Sequence, residues 1–278
     1  MGIITSLPCC TERSRGEPPN SLTGNSPRKV SVVVNKLGTL DEFTETMRQL
    51  TSTQKLPTEN LNFQHPWAVK PTTVAAQAAI NLAARLRKNK DPVIRDSYHK
   101  AGCITPLMKF LFDANEVDKV HASLLALQSI TDSCSNQAIL DDLVQQDALL
   151  VLPKLMASSS QIEGARMACA SVARNIIGSN QKYKSEFINN GGVRALVGLL
   201  DFDESRVREE QYTQWILERV NDVRDYIESS PTGSVDEQVA KKLISENIRP
   251  KLLVLKSSSQ DNDIIEDSID VLNLLQKY

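Results

Sequence analysis

Four apolar segments of eleven residues recur along the chain with a similar pattern of hydrophobic and polar positions. They are residues 101–111 (AGCITPLMKFL), 146–156 (QDALLVLPKLM), 190–200 (NGGVRALVGLL) and 245–255 (SENIRPKLLVL). Their starts are 45, 44 and 55 residues apart. The first two spacings lie in the range of about 40–47 residues that is typical of some helical repeat arrays. The third contains a Ser/Pro/Gly-rich stretch, residues 229–234, which predicts a longer loop.

Each segment has neighbours with helical periodicity, which predicts units of three helices. Shorter stretches precede the segments at residues 93–100, 136–145 and 182–189, and longer ones follow at 119–133, 161–177 and 206–226. At the ends of the array we expect a capping helix at 40–50, a long helix at 72–88 and a closing amphipathic helix at 262–277. Because one such unit cannot bury its apolar faces alone, the units should stack into one continuous core.

The short–medium–long order of helices, with a Gly-rich corner before an apolar helix, resembles the armadillo-repeat family. The likeness is carried best by FINNGGVRALVGLLDFDESRVREE and YHKAGCITPLMKFLFDANEVDKV, and it covers about residues 72–278. It implies an all-α fold, a right-handed superhelical solenoid of armadillo-type three-helix repeats. We expect about four repeats plus capping helices over residues 38–278. An irregular helical bundle is the alternative, which the periodicity disfavours.

The first ten residues, MGIITSLPCC, match a lipidation pattern. Gly2 followed by Ser6 fits the N-myristoylation motif, and Cys9 and Cys10 are candidates for S-palmitoylation. A single myristoyl chain binds membranes only weakly, so the two signals together predict stable anchoring. The alternative is a chance match. Residues 11–37 are rich in Ser, Pro, Gly, Asn and Arg, and residues 1–37 are therefore predicted to be a flexible acylated tether.

Composition excludes several classes of function. The net charge of -2 argues against a nucleic-acid binder. No stretch approaches 18 uninterrupted apolar residues, so no spanning helix is expected. Five cysteines without disulfide or metal spacing are typical of a reducing, cytosolic environment.

The sequence contains no catalytic constellation. His99 and His121 are predicted to lie on helix surfaces, and neither has the spacing of a metal site or a catalytic partner. We therefore predict a protein that is not an enzyme, with no cofactor, no metal and no small-molecule substrate.

Partner-binding residues are expected on the long helices, which line a concave groove in the armadillo family. Importin-α-like members carry a Trp-x-x-x-Asn ladder there, and no unit of this chain holds the intact pair, so a nuclear-import receptor is disfavoured. Tyr212, Trp215 and Arg219 share one helix face, and with Asn175 they are the candidate partner contacts. The alternative is that Trp215 belongs to the core and Arg219 is a solvated charge.

An acylated N-terminus followed only by armadillo repeats resembles the armadillo-repeats-only family of apicomplexan parasites. That resemblance implies a lipid-anchored scaffold on the cytosolic face of an organelle, the rhoptry, which recruits motor and adaptor proteins to position it. Gly2, Cys9 and Cys10 would be the anchor. A vacuole-type acylated armadillo adaptor and a soluble transport or signalling adaptor are the alternatives.

Overall fold

The computed structural model describes residues 40–56, 70–113, 115–132, 136–178, 180–206, 209–228 and 235–278. All of them belong to one compact unit, Leu37–Tyr278. The predicted acylation sites Gly2, Cys9 and Cys10 lie outside the described residues, as does the rest of the predicted tether. None of the helices in the described part is both long enough and apolar enough to cross a bilayer.

Fourteen α-helices make up the described part of the chain, with isolated bridges but no strand among these residues. The first four are α1 (Leu40–Leu50), α2 (Val74–Lys88), α3 (Pro92–Lys100) and α4 (Ile104–Phe112). The next five are α5 (Val117–Thr131), α6 (Gln137–Gln145), α7 (Ala148–Ala157), α8 (Glu163–Ile177) and α9 (Gln181–Asn189). The last five are α10 (Gly192–Gly198), α11 (Glu210–Ile227), α12 (Glu237–Ser245), α13 (Ile248–Ser258) and α14 (Asn262–Leu274).

These helices repeat as four units of three, α3–α5, α6–α8, α9–α11 and α12–α14, preceded by α1 and α2. Each long third helix packs on the next one, so α2, α5, α8, α11 and α14 form a continuous row. We call this row the long-helix ladder. Its side chains join those of the other helices in one continuous apolar core. The predicted fold class, an all-α solenoid of three-helix repeats, is confirmed.

Polar residues at equivalent positions start the first helix of every unit. Their side-chain oxygens accept a hydrogen bond from the backbone N–H two residues further on, which satisfies an otherwise unpaired donor of the first turn. These capping residues are Asp91, Asn136, Asn180 and Asp236.

A left-handed residue forms the corner between the first and second helix of every unit. Such a backbone conformation favours Gly, and after it Asn and Asp. The corner residues are Gly102 (φ 84°), Asp147 (φ 61°), Gly191 (φ 82°) and Asn247 (φ 64°). The fourth corner shows that the fourth repeated segment begins at Glu246, one residue later than the apolar pattern predicted. The earlier register would have placed Glu246 in the left-handed position, which a glutamate rarely adopts.

The prediction that His121 lies on a helix surface is wrong, because this side chain is only 1% exposed. Its helix, α5, packs on α2, α4 and α8, so almost every face of it is covered. His99 is partly exposed, and its Nε2 lies 3.1 Å from Asp142 Oδ2.

Gly192 permits a close approach between the first and second helices of the third unit. A Cβ added there would overlap the ring of Phe187, which is fully buried and stacks on Tyr226 at 5.3 Å. Gly198, at the other end of α10, has nothing within 4 Å of a built Cβ.

We therefore expect Gly192→Ala to lower the free energy of unfolding by about 1–3 kcal/mol, because the buried ring has no space to move into. The matched control Gly198→Ala should be neutral or stabilising by about 0.5–1 kcal/mol, since alanine is the better helix former. Urea denaturation followed by circular dichroism measures both. Equal stability of the two variants would contradict the packing argument.

Candidate protein-binding site on the long-helix ladder

Side-chain hydrogen bonds join consecutive helices of the ladder. Each crosses from one unit to the next, so these bonds fix the spacing of the repeats as well as their packing. The donor–acceptor pairs are Arg87 Nε to Ser129 Oγ (3.2 Å), Asn175 Nδ2 to Thr131 Oγ1 (3.0 Å), Arg174 NH1 to Asp222 Oδ1 (2.8 Å) and Arg224 NH1 to Asp267 Oδ1 (2.8 Å).

Arg219 and Asp222 form a buried ion pair on α11. Arg219 is 1% exposed, and its NH1 lies 2.5 Å from Asp222 Oδ2. The same NH1 donates to the Met167 carbonyl on α8 at 3.2 Å. Arg174 of α8 also donates to the fully buried Asp222. The charges of three side chains thus hold α8 and α11 together.

Burial raises the pKa of the Asp222 carboxyl, because removing a charge from water disfavours the ionised form, while Arg219 and Arg174 partly offset this shift. Burial also raises the pKa of the Tyr226 phenol, whose hydroxyl has no hydrogen-bond partner in the described part of the chain. The stability of this cluster therefore depends on the pairing of its charges.

Tyr212 is also buried, being 2% exposed. Its hydroxyl accepts a hydrogen bond from the Asp203 N–H at 2.6 Å and donates one to the Asp201 carbonyl at 3.3 Å. The Arg206 guanidinium lies 4.3 Å from the centre of its ring. Tyr212 therefore holds the connection between α10 and α11 in place. Burial raises the pKa of its phenol.

The expectation that Tyr212, Trp215 and Arg219 present one exposed face is wrong for Tyr212 and Arg219. Their side chains point into the seam with neighbouring elements, and the alternative of a solvated Arg219 is wrong as well. Trp215 is partly buried against the core, and Asn175 is partly exposed beside Arg174. A stripe of buried apolar residues runs along this side of α11 and consists of Tyr212, Ile216, Val220, Val223 and Ile227. This stripe is the feature of the sequence that indicates a buried position for Arg219.

A cleft of about 450 Å³, which no pattern in the sequence indicated, lies between the ends of α11 and α14. It is lined by Arg224, Asp225, Glu228, Asp270, Asn273 and Leu274. Arg224 is already engaged, because it donates to Asp267 at 2.8 Å and to Asn221 at 2.7 Å. The other charged side chains are carboxylates, so the cleft attracts cations. We call it the acidic cleft.

Asp225 connects the acidic cleft to the buried ion pair. Its Oδ2 lies 3.8 Å from NH1 of Arg174, and about half of its side chain is exposed. Partial burial raises the pKa of this carboxyl, and Arg174 and Arg224 counteract the shift. No group of His, Cys, Asp and Glu side chains within the described ranges is arranged to hold a metal ion.

The fold and the ladder can be compared with solved structures. ARO (armadillo repeats only protein) from Plasmodium falciparum superposes with a TM-score of 0.73 at 26% identity, over 92% of this chain and 100% of that one. A designed armadillo repeat protein, YIII(Dq)4CqI, matches with a TM-score of 0.59 at 19% identity, over 91% of this chain and 96% of its own. The chain is an armadillo-repeat protein.

A further designed armadillo repeat protein, YIII(Dq.V1)4CPAF, solved in complex with peptide (KR)4, matches with a TM-score of 0.59 at 19% identity, over 90% of this chain and 91% of its own. No protein-family model matches the sequence, and no curated protein is similar enough in sequence to be compared. The armadillo fold of this protein is a protein-binding scaffold and is not typical of an enzyme.

The Arg219–Asp222 pair yields a test of how this armadillo-repeat protein holds its units together. Asp222→Leu removes the main partner of a buried guanidinium, and we expect it to lower the free energy of unfolding by about 3–5 kcal/mol. In Arg219→Met/Asp222→Leu both charges are gone, while Arg174 still reaches solvent and Asp225. The double variant should therefore recover most of that stability. Urea denaturation of the parent and both variants measures the difference; a double variant no more stable than Asp222→Leu would contradict the pairing argument.

Proposed function

We propose that this protein is a membrane-anchored armadillo scaffold on the cytosolic face of an organelle, where it recruits motor or adaptor proteins that position the organelle. The observation that carries this proposal is the match to the whole length of the Plasmodium falciparum ARO chain. The acylation pattern at Gly2, Cys9 and Cys10 supports it, since a myristoyl chain and palmitoyl chains together give stable membrane attachment. The organelle proposed is of the rhoptry type.

Partner proteins would bind along the long-helix ladder. Stacked repeats present an extended surface there, and Asn175 and Trp215 are the partly exposed members of the predicted contact set. Tyr212 and Arg219 would support that surface from beneath. The acidic cleft extends it toward α14, and its carboxylates fit a basic side chain of the partner. The designed armadillo repeat protein solved in complex with peptide (KR)4 shows that an armadillo array can bind a basic peptide.

The anchor is tested by fractionating cells that express the full chain with a C-terminal fluorescent tag. We expect the parent in the membrane fraction, Gly2→Ala in the soluble fraction, and Cys9→Ala/Cys10→Ala released or spread over many membranes, because one weak signal alone does not hold the chain. Cys103→Ala is the matched control, since this thiol is buried in the repeat domain and should leave the distribution unchanged.

Equal solubility of the parent and all of these variants would reject the anchor. That result would favour the soluble adaptor, for which the N-terminal pattern is accidental. A membrane-bound parent on the vacuole or its equivalent would instead favour the vacuole-type adaptor. Imaging of the same cells distinguishes these organelles directly.

The acidic cleft is tested with a fluorescent peptide of alternating Lys and Arg residues, followed by anisotropy. We expect Asp225→Arg/Asp270→Arg to weaken binding at least about tenfold, because two attractive charges become repulsive. Trp215→Ala should also weaken it, through loss of aromatic contact area. Glu186→Arg/Glu237→Arg makes the same change of charge on the first helices and should lower the affinity much less. A similar loss in both double variants would show that only net charge matters.

A further inference from the structure

The second helices of the four units, α4, α7, α10 and α13, present one equivalent outward face. In each unit this face consists of the third, seventh and tenth residues after the left-handed corner residue. They hold Thr105, Lys109 and Phe112 in the first unit, Leu150, Lys154 and Ala157 in the second, Arg194, Gly198 and Asp201 in the third, and Pro250, Val254 and Ser257 in the fourth. All of these residues are exposed except Gly198, which is intermediate. We call this face the second-helix ridge.

The charge of the second-helix ridge is positive although the chain as a whole carries -2. None of α4, α7, α10 and α13 contains an Asp or a Glu. Asp201, which follows α10, is the acid among the ridge positions, and Lys251 pairs with it. Within the described residues Lys109 and Lys154 make no hydrogen bond or ion pair, and Arg194 is 83% exposed with Glu246 4.0 Å away. Two exposed acids flank the ridge positions, Asp113 at the C-terminal end of α4 and Asp147 at the N-terminal end of α7.

The ridge also exposes large apolar side chains. Phe112 is 56% exposed, Leu150 38% and Val254 43%, and Leu253 beside Val254 is 52% exposed. In the described part of the chain, the other large apolar side chains with comparable exposure are Val93 and Tyr278. The uncovered apolar surface is therefore concentrated where unpaired cations also lie.

Adjacent second helices make this a continuous surface over the first three units. α4 contacts α7, and α7 contacts α10. Between α7 and α10 lies an open cleft whose lining includes Lys154, Arg166 and Arg194. The fourth unit is joined to it through the Lys251–Asp201 ion pair.

Apolar side chains interspersed with unpaired cations are suited to the boundary of a bilayer that contains anionic lipid. The cations are attracted to lipid headgroups, and long Lys and Arg side chains keep their charges at headgroup level while neighbouring apolar groups enter the interface. An acidic protein would complement the cations, but it would gain less from Phe112, Leu150 and Val254, which lie in three different units of the ridge. Charge complementarity and the spacing of the apolar groups favour the lipid surface.

We propose that the second-helix ridge is a membrane-contacting surface that binds anionic phospholipid bilayers. This rests on the proposed function in one respect, namely that the lipid anchor keeps the domain near a membrane, because the ridge alone would bind too weakly to retain Gly2→Ala in the membrane fraction of cells. The repeat domain then docks on the bilayer through the ridge, and the ladder remains the surface for protein partners.

The test uses the full chain with Gly2→Ala, Cys9→Ala and Cys10→Ala, so that no acyl chain contributes. Flotation with vesicles of phosphatidylcholine alone, and with about 30% phosphatidylserine added, reports lipid binding through the folded domain. We expect binding to the anionic vesicles only, with affinity that falls as salt is raised. Reversing three ridge cations in Lys109→Glu/Lys154→Glu/Arg194→Glu should weaken it by about a hundredfold or more, at roughly fivefold for each charge removed.

The matched control is Lys88→Glu/Lys182→Glu/Lys277→Glu, which makes the same change of net charge at exposed positions away from the ridge. We expect it to keep most of the binding. Phe112→Trp should show a blue-shifted fluorescence difference spectrum on anionic vesicles, and Val93→Trp, an equally exposed position on α3, should not. These two variants report contact with the hydrocarbon boundary independently of charge.

Equal binding to both kinds of vesicle, equal loss in the two triple variants, or no spectral change for Phe112→Trp would overturn the proposal. Failure of the lipid anchor alone would give a different result. The parent chain would be soluble in cells, whereas the purified protein without acyl chains would still bind anionic vesicles. Failure of the ridge would leave the parent membrane-bound through Gly2 and the two cysteines.

Discussion

Burial of the long helices is the constraint on which the rest of this structure depends. α5 is covered on almost every side by α2, α4 and α8, and even His121 and Ser123 of that helix are buried. A helix of this kind has no stable position outside the stack, because the other helices of its own unit cover only part of its apolar surface. The repeats therefore fold as one array, and the shape of any surface on it is set by how neighbouring units pack.

Polar groups within the ladder specify that packing. Apolar surfaces alone tolerate small shifts in register, whereas the hydrogen bonds from Arg87, Asn175, Arg174 and Arg224 each require one neighbour at one distance. The Arg219–Asp222 pair goes further, since both partners are almost fully out of water. Both lie on α11, but α8 supplies two of their partners, the Met167 carbonyl and Arg174, so a shift of α8 would leave buried charge without these contacts.

The repeated pattern of apolar residues was sufficient to predict the helices and their order, because burial against the next unit imposes the same spacing on every repeat. It predicted the fourth segment one residue too early, since the deciding feature there is the left-handed backbone at Asn247 and not hydrophobicity. It also assigned Arg219 to the surface. The apolar stripe around Arg219 indicates burial, but it becomes decisive only together with the partners that a buried guanidinium requires. One of these, the Met167 carbonyl, lies 52 residues away along the chain.

The acidic cleft and the second-helix ridge could not be predicted from residue types, because each depends on which charges are already paired. Arg224 would neutralise part of the cleft if Asp267 and Asn221 did not engage it, and Asp201 would offset the ridge if Lys251 did not pair with it. Pairing between units therefore neutralises a positive charge at the acidic cleft and a negative charge on the second-helix ridge, and it leaves the opposite charges exposed. A chain of net charge -2 thereby displays an acidic cleft between the ends of α11 and α14 and a basic surface on its second helices. If both proposals hold, these separate surfaces of opposite charge would let one repeat array contact a membrane and a basic protein segment at the same time, since neither ligand would compete for the other's site.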